Sequence, residues 1–291
     1  MSNTTNRRNW LLSTGAAAAG IALAAPRIAD AAEPADERGK QAAAKIQYCL
    51  NTSSVRGERP GRSLAELIDI AAKAGYDAIE PWLGEINGAK ETGHTLTDLR
   101  KRIEDGGLVV ASAIGFANWI VDDDVQRAAG LESMKRDMEM VAAIGGTRIA
   151  APPVGATKQA DLNLFRAAER YRALCELGEE MGVSPQLELW GFSQSLSRLG
   201  ELAFVATEAA HPRACLLPDI YHIYKGGSNF GGLAMLNGRK IEVFHMNDYP
   251  AEPPRETIGD GDRVYPGDGI APIGEVLRMI VAAGFEGTLS L

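Results

Sequence analysis

Two carboxylates and an imidazole occur at the ends of three consecutive apolar runs in the second half of the chain. Glu188 lies inside the fifth of eight such runs, Asp219 follows the sixth, and His245 lies inside the seventh. A lone carboxylate inside an apolar strand is costly to bury unless it is paired or bound to a metal. Carboxylate and imidazole ligands without a thiolate suit Mn²⁺, Mg²⁺, Co²⁺ or Zn²⁺ bound to a substrate oxygen. These residues therefore predict a site for one divalent metal ion.

Each of the three residues also has a purely structural interpretation. Glu188 could be an interior carboxylate in a salt bridge, Asp219 could cap the turn that follows it, and His245 could be a hydrogen-bonded core histidine. Their occurrence on successive runs favours a common site. The histidines His94 and His211 stand in loop-like sequence, and we predict both at the surface.

The rest of the chain alternates apolar runs with helical periods. The runs predict eight strands, at 46–50, 78–80, 108–113, 148–151, 186–189, 214–217, 241–246 and 288–291. Between them, apolar residues recur with the i, i+3, i+4, i+7 spacing of a helix, for example at 64–72 and 273–281. Ser63 and Glu66 have the spacing of a helix-capping box.

Strands that are separated by helices must be parallel, because a crossover returns the chain to the same end of the sheet. Eight of them over residues 45–291 predict an α/β fold, a closed (β/α)₈ TIM barrel. The absence of a G-x-G-x-x-G or P-loop sequence after the first run disfavours an open doubly wound sheet. Chemistry in such barrels belongs to the C-terminal ends of the strands, where the carboxylates and the histidine stand.

Composition narrows the classes of partner. The chain has 291 residues, of which 45% are apolar and 23% charged, and this excludes a disordered protein. The net charge of −8 argues against a nucleic-acid partner. No apolar run after residue 32 is long enough for a membrane anchor. The three cysteines, an odd number without a C-x-x-C pair, predict buried free thiols. Assembly of identical chains into a homo-oligomer is left open.

The first 32 residues predict an export signal. Arg7 and Arg8 precede a short apolar run that is rich in Ala and Gly, and Ala29-Asp30-Ala31 fits an A-x-A cleavage site. The segment resembles a twin-arginine signal, which implies export of folded protein to the periplasm. A membrane anchor is the alternative, but the run is shorter than a spanning helix. Residues 33–44 predict a flexible leader.

The motifs at the strand ends resemble those of the xylose-isomerase-like barrel superfamily, the sugar phosphate isomerase/epimerase group, over roughly residues 45–291. The matching segments are 75–80 at the second strand, 187–188 at the fifth, the D-x-x-H sequence 219–222 at the sixth, the H-x-x-D sequence 245–248 at the seventh, and 266–269 in the next loop. The resemblance implies that Glu188, Asp219 and His245 are metal ligands. It also implies that His222 contacts the substrate or steadies the site.

The resemblance extends to the surroundings of the ligands. It implies that Glu80 and Asp248 lie behind them, and with Trp82 and Arg255 these residues form the candidate substrate-binding set. Arg255 stands further along the chain than the arginine of the family's epimerases. The family's fourth ligand, a Glu at the end of the eighth strand, is expected after Leu291, as is the final helix of the barrel.

The function implied is that of a metal-dependent isomerase or epimerase acting on a keto sugar or sugar derivative through an enediolate. Glu188 and His222 are the candidate catalytic residues. Three alternatives remain open: a sugar lyase or dehydratase on the same scaffold, a non-catalytic sugar-binding barrel, and a zinc nuclease. The nuclease would need many histidines, and the chain has four.

Overall fold

The structure is a computed structural model, and it describes residues 46–58 and 61–291. The predicted export signal at 1–32 and the predicted leader at 33–44 lie outside the described residues and stay predictions. Among the described helices, none combines the length and the apolar character that crossing a membrane requires.

Strands and helices alternate along the described chain. The strands are β1 (Gln47–Asn51), β2 (Ala78–Glu80), β3 (Val109–Val110), β4 (Arg148–Ala151), β5 (Ser184–Glu188), β6 (Cys215–Leu217), β7 (Val243–His245) and β8 (Thr288–Ser290). The helices are α1 (Leu64–Ala74), α2 (Leu83–Glu91), α3 (Leu96–Asp105), α4 (Asp124–Ala143), α5 (Leu164–Met181), α6 (Leu199–Ala209), α7 (Ile220–Lys225) and α8 (Ile273–Ala282). Every predicted apolar run contains all or most of one strand, which confirms the βα alternation.

The strands close into a barrel because β1 pairs in parallel with both β2 and β8. Parallel pairing also joins β2 to β3, β4 to β5, β5 to β6 and β7 to β8. Between β3 and β4, the Ala150 amide donates to the Ala113 carbonyl over 2.8 Å. Between β6 and β7, one of two isolated parallel bridges joins Asp219 to His245. The predicted TIM barrel is confirmed.

Helix α1 shows how the local sequence sets an element. The Ser63 hydroxyl accepts a hydrogen bond from the Glu66 amide, and the Glu66 carboxylate accepts one from the Ser63 amide at 2.8 Å. The helix ends at Gly75, whose φ of 82° is the left-handed conformation that a side chain disfavours. Its Leu67 and Ile68 side chains are fully buried against the barrel. The capping box predicted from sequence is present.

Small and aliphatic side chains fill one layer inside the barrel. This cluster takes members from five strands: Cys49, Ala78, Ala150, Leu217 and Val243. On β1 and β2 the layer lies two residues before Asn51 and Glu80, which pair with each other in the register of the sheet. The polar residues at the strand ends therefore stand directly above an apolar layer. All three cysteines are buried and free, as predicted.

The structure departs from the sequence-based boundaries where strands approach the barrel mouth. The third and seventh runs form strands of only two and three residues. Two helices, α2 and α3, stand between β2 and β3 in place of one. Helix α7 has six residues.

Candidate active site

The candidate site lies at the C-terminal ends of the strands, around a cavity of about 730 Å³ including its open end. Glu188, Asp219 and His245 all line this cavity, and their exposed fractions are 5%, 1% and 6%. They come from the consecutive strands β5, β6 and β7, whose parallel order brings their ends to one face. The structure thus brings together the three residues that the sequence placed at a common site.

His245 stands between two carboxylates. Its Nε2 atom lies 3.0 Å from Oε2 and 3.2 Å from Oε1 of Glu80, and its Nδ1 atom lies 3.6 Å from Oδ2 of Asp219. Burial disfavours the charged imidazole, but Glu80 and Asp219 outweigh burial and raise the pKa of His245 well above its ordinary value. A carboxylate on one ring nitrogen fixes the orientation of the ring and directs the other nitrogen toward Asp219.

Glu80 lies behind His245, away from the cavity. Its side chain is fully buried, and it accepts hydrogen bonds from Asn51 Nδ2 at 2.9 Å and Ser290 Oγ at 2.7 Å. Burial opposes ionisation, yet His245, Ser290 and Asn51 together lower the pKa of Glu80. This position corrects the assignment of Glu80 to the substrate-binding set, because a side chain with no exposed surface cannot touch a ligand in the cavity. Its contact is with the His245 ring.

Glu188 is a buried carboxylate in a different environment. Burial is the largest influence on it, the carboxylates of Asp219 and Glu80 add to the effect, and the pKa of Glu188 rises to about 8. His245 and a hydrogen bond with Trp190 act in the opposite direction but are weaker. In the absence of a cation, Glu188 therefore holds a proton at neutral pH.

Asp219 serves both the fold and the site. Its Oδ1 atom accepts a hydrogen bond from the His222 amide at 3.1 Å and so caps α7. Its Oδ2 atom accepts one from Asn247 Nδ2 at 2.5 Å. Burial opposes ionisation, but the charges of His222 and His245 outweigh it and lower the pKa of Asp219. The capping and functional interpretations of Asp219 are thus compatible.

His222 also lines the cavity. Its Nδ1 atom accepts a hydrogen bond from the Gly191 amide at 3.3 Å. A side chain at Gly191 would collide with the His222 carbonyl, so glycine permits this close approach. Burial lowers the pKa of His222, with Asp219 acting in the opposite direction. A neutral ring whose Nδ1 accepts carries its proton on Nε2.

Aromatic side chains form the upper wall of the cavity. The aromatic residues that follow the strands fall into two groups. Trp82 and Trp190 line the cavity. Tyr221 is fully buried, and Tyr224 stacks on Tyr249 with ring centroids 3.8 Å apart.

Two further aromatic residues of this wall, Phe116 and Phe192, were missed by the sequence analysis. Phe192 stands two residues after Trp190 in the loop that follows β5, and Phe116 stands in the loop that follows β3. Their place after a predicted strand was the available signal.

The cavity arginine differs from the one expected. Arg263 lines the cavity, and its guanidinium lies 5.5 Å from the Tyr221 ring centroid. Arg255, which the sequence analysis proposed, does not line the cavity; its Nη2 lies 3.5 Å from Oε1 of the exposed Glu256. Arg263, and not Arg255, therefore stands where a guanidinium could reach a ligand in the cavity.

Asp248 organises a loop. It is 1% exposed, and its carboxylate accepts hydrogen bonds from the amides of Gly267, Gly269 and Ala271 at 3.0 to 3.1 Å. It therefore supports the loop that follows β7 and does not contact the cavity, which corrects its place in the substrate-binding set. The site's lining also includes Asn51, Asn247 and Ser290, which the sequence analysis had not named as functional.

The donor set fits a divalent cation by its chemistry. Within residues 46–58 and 61–291, no group of three or more His, Cys, Asp or Glu side chains has the geometry of a complete metal-binding site. The cavity floor nevertheless combines the buried carboxylates of Glu188 and Asp219 with the imidazole of His245, and the buried carboxylate of Glu80 lies behind that ring. Glu80 occupies Nε2 of His245, and the free Nδ1 faces Asp219, which is the usual arrangement around a metal-binding histidine.

The sequence profile of the xylose isomerase-like TIM barrel family matches residues 68–291, and the chain belongs to that family. An inosose isomerase of Bacillus velezensis is 24% identical over 251 residues, covering 84% of this chain and 88% of the relative. A fructoselysine 3-epimerase of Escherichia coli O157:H7 is 25% identical over 239 residues, covering 75% and 80%. A crystal structure of the IOLI protein with a zinc atom superposes with a TM-score of 0.73 at 20% identity, covering 84% and 88%.

Proposed function

We propose that this protein is a divalent-metal-dependent sugar isomerase or epimerase acting on a keto sugar or sugar derivative. The observation that carries the proposal is the convergence of Glu188, Asp219 and His245 on one cavity, with Glu80 fixed behind the histidine. The curated relatives named inosose isomerase and fructoselysine 3-epimerase support the reaction class. The substrate is a small carbohydrate.

Glu188, Asp219 and His245 would hold one ion of Mn²⁺, Mg²⁺, Co²⁺ or Zn²⁺. A bound ion of this kind supplies Lewis-acid polarisation of a substrate carbonyl oxygen and its neighbouring hydroxyl. The zinc atom in the IOLI structure belongs to that protein and supports a divalent ion in this family. Glu80 acts through His245, whose ring it orients and whose charge it balances.

Glu188 is the proposed base. It takes the proton from the carbon next to the substrate carbonyl; the C–H bond breaks, and its electron pair passes into an enediolate. Return of the proton to the neighbouring carbon gives the isomer. Return to the opposite face of the same carbon requires a second proton donor and gives the epimer.

His222 is the proposed contact to the substrate. Its Nδ1 atom is engaged by the Gly191 amide, so Nε2 is the nitrogen that can donate to a sugar oxygen. The variant His222→Ala is expected to keep the metal and to lose turnover or sugar binding. If it loses the metal as completely as Asp219→Asn does, His222 is itself a ligand.

Metal analysis and isotope exchange test the proposal together. The purified chain is loaded with Mn²⁺, its metal content is measured, and it is incubated with a panel of keto sugars in D₂O. We expect about one ion per chain and deuterium at the carbon next to the carbonyl. Asp219→Asn is the control that should lose both. Metal without exchange but with loss of a β-substituent would indicate a lyase, and neither metal nor exchange would indicate a binding protein.

We also propose that residues 1–32 direct export of the folded protein through the twin-arginine pathway. The proposal is based on the pair Arg7 and Arg8, which precedes a weakly apolar run. Replacing both with Lys keeps the charge and is expected to hold the protein in the cytoplasm. Normal export of that double variant would contradict the proposal.

A further inference from the structure

Four aromatic rings form a continuous wall along the cavity. Ring centroids are 5.2 Å apart for Trp82 and Phe116, 6.1 Å for Phe116 and Trp190, and 5.2 Å for Trp190 and Phe192. All four residues line the same cavity as the carboxylates. Phe116 and Phe192 both neighbour Trp190, so the three rings form one aromatic surface at the mouth.

One ring of the wall, that of Trp82, is held in place before any ligand binds. The Trp82 indole N–H donates to Asn51 Oδ1 at 2.9 Å. The Arg56 guanidinium lies 4.5 Å from the Trp82 ring centroid, and Arg56 Nε donates to Glu85 at 2.6 Å. Because the chain itself fixes the edge of the ring and stacks a cation on it, the position of Trp82 costs little further entropy when a ligand stacks beside it.

Exposure rises from the floor of the cavity to its mouth. Asp219 and His222 on the floor are 1% and 4% exposed, whereas Phe116 and Phe192 are 46% and 45% exposed. A free monosaccharide placed on the floor would meet the carboxylates with its hydroxyl groups. It would leave two large apolar faces at the mouth in contact with water, which is unfavourable unless something covers them.

The outer wall of the cavity suits an uncharged group. Phe116, Trp190 and Phe192 carry no charge, and Arg263 is the one permanent cation among the described residues that line the cavity. An uncharged ring therefore gains the aromatic surface, whereas a phosphate in the cavity would find a single guanidinium side chain.

We propose that Phe116, Trp190 and Phe192 form a second subsite, which binds an uncharged ring attached to the reacting sugar. The substrate class is then a keto-sugar glycoside whose second unit presents a flat apolar face, as an aryl group or a second sugar ring does. This inference rests on the proposed function for the position of the reacting sugar on the floor, and it adds the unit at the mouth.

Calorimetric titration of the Mn²⁺-loaded protein with matched pairs of glycosides tests the subsite. The pairs are the phenyl and methyl β-glycosides of 3-keto-D-glucose, 3-keto-D-galactose and 3-keto-D-mannose, so that every ligand carries a ketone and only the second unit differs within a pair. We expect the phenyl member to bind roughly tenfold more tightly in at least one pair. Cellobiose that carries a 3-keto group on its non-reducing unit, compared with 3-keto-D-glucose, tests a sugar as the second ring.

Variants assign the preference to the wall. Phe116→Ala and Phe192→Ala are each expected to remove most of the phenyl preference. The matched control is Phe165→Ala, because Phe165 is 61% exposed and packs on Phe204 away from the cavity. Equal binding of the phenyl and methyl members in every pair, or an equal loss in the control, would overturn the subsite.

Isotope exchange separates this inference from the function on which it rests. Exchange of free keto sugars without a phenyl preference would remove the second subsite and leave the isomerase proposal standing. A phenyl preference that depends on Phe192, without exchange of any sugar, would leave the subsite and refute the reaction.

Discussion

Glu80 and Glu188 end two strands of the same barrel, and both are buried, yet their surroundings give them opposite properties. Glu80 accepts hydrogen bonds from Asn51 and Ser290 and pairs with His245, which lower its pKa. For Glu188, burial and neighbouring carboxylates raise the pKa to about 8. The two residues are of the same type and are both buried, so the difference between their pKa values comes from the groups that surround each carboxylate.

The comparison divides the barrel mouth into two sides. The fixed side consists of Asn51, Glu80 and Ser290. Asn51 and Ser290 donate hydrogen bonds to the Glu80 carboxylate, which in turn holds the His245 ring. The reactive side consists of Glu188 and Arg263, whose charges the protein leaves less fully compensated. A carboxylate with all its partners in place can only orient a neighbour, whereas a carboxylate surrounded by like charge favours a proton or a cation.

The largest expected effect is on the reactive side. Glu188→Gln removes the proposed base and one metal ligand, and it should slow deuterium incorporation into the substrate by about a thousandfold or more. Exchange rates followed by mass spectrometry measure the change, and circular dichroism checks the fold. Glu256→Gln, at an exposed carboxylate, is the control. A rate within tenfold of the parent would contradict the assignment.

On the fixed side, Glu80→Gln should lower metal affinity by about 10- to 100-fold, because His245 loses the carboxylate that orients it. Removing one of the two carboxylates beside the buried His245 should also cost up to roughly 3–5 kcal/mol of the free energy of unfolding. Metal titration and chemical denaturation measure the two effects. The control is Glu242→Gln, whose partner Arg148 is half-buried at 33% exposure, and there the loss should stay at about 1 kcal/mol or less. Equal losses in the two variants would remove the distinction between the sides.

The raised pKa of Glu188 also predicts a pH dependence for the stability of the metal-free protein. In the folded chain Glu188 keeps its proton up to about pH 8, against an ordinary pKa of 4.5. Its stabilising contribution is therefore complete below pH 4.5 and is lost as the pH rises to 8. Chelator-treated protein should unfold at a lower temperature at pH 8 than at pH 5, and Glu188→Gln should reduce that difference. An unchanged difference in the variant would show that Glu188 does not titrate in this range.

The smallest expected effect compares the two arginines. Arg263 lines the cavity and Arg255 does not, so Arg263→Gln should raise KM several-fold while Arg255→Gln stays near the parent value. The basis is the loss of one charged hydrogen-bond donor, worth about 1.5–3 kcal/mol when fully used. Steady-state kinetics of the two variants on one keto sugar checks this. The reverse order would restore the arginine that the sequence first suggested.

The sequence by itself determined the barrel, the strand that carries each ligand candidate, and the meeting of Glu188, Asp219 and His245. These features follow from local periodicity and from the rule that parallel strands present their C-terminal ends on one face. The export segment was also a sequence inference, and it remains a prediction. Helix α1 was equally local, since its capping box lies within four residues.

Only the tertiary structure decided what surrounds those ligands. Glu80 is 165 residues from His245 and 210 from Ser290 along the chain. No spacing pattern in the sequence therefore predicts these contacts. Phe116 and Arg263 come from loops, which have no period that would reveal which side chain turns toward the cavity. Periodicity specifies the face of an element, but the pairing of two buried groups depends on barrel closure, which brings distant strands and loops together and excludes water from between them.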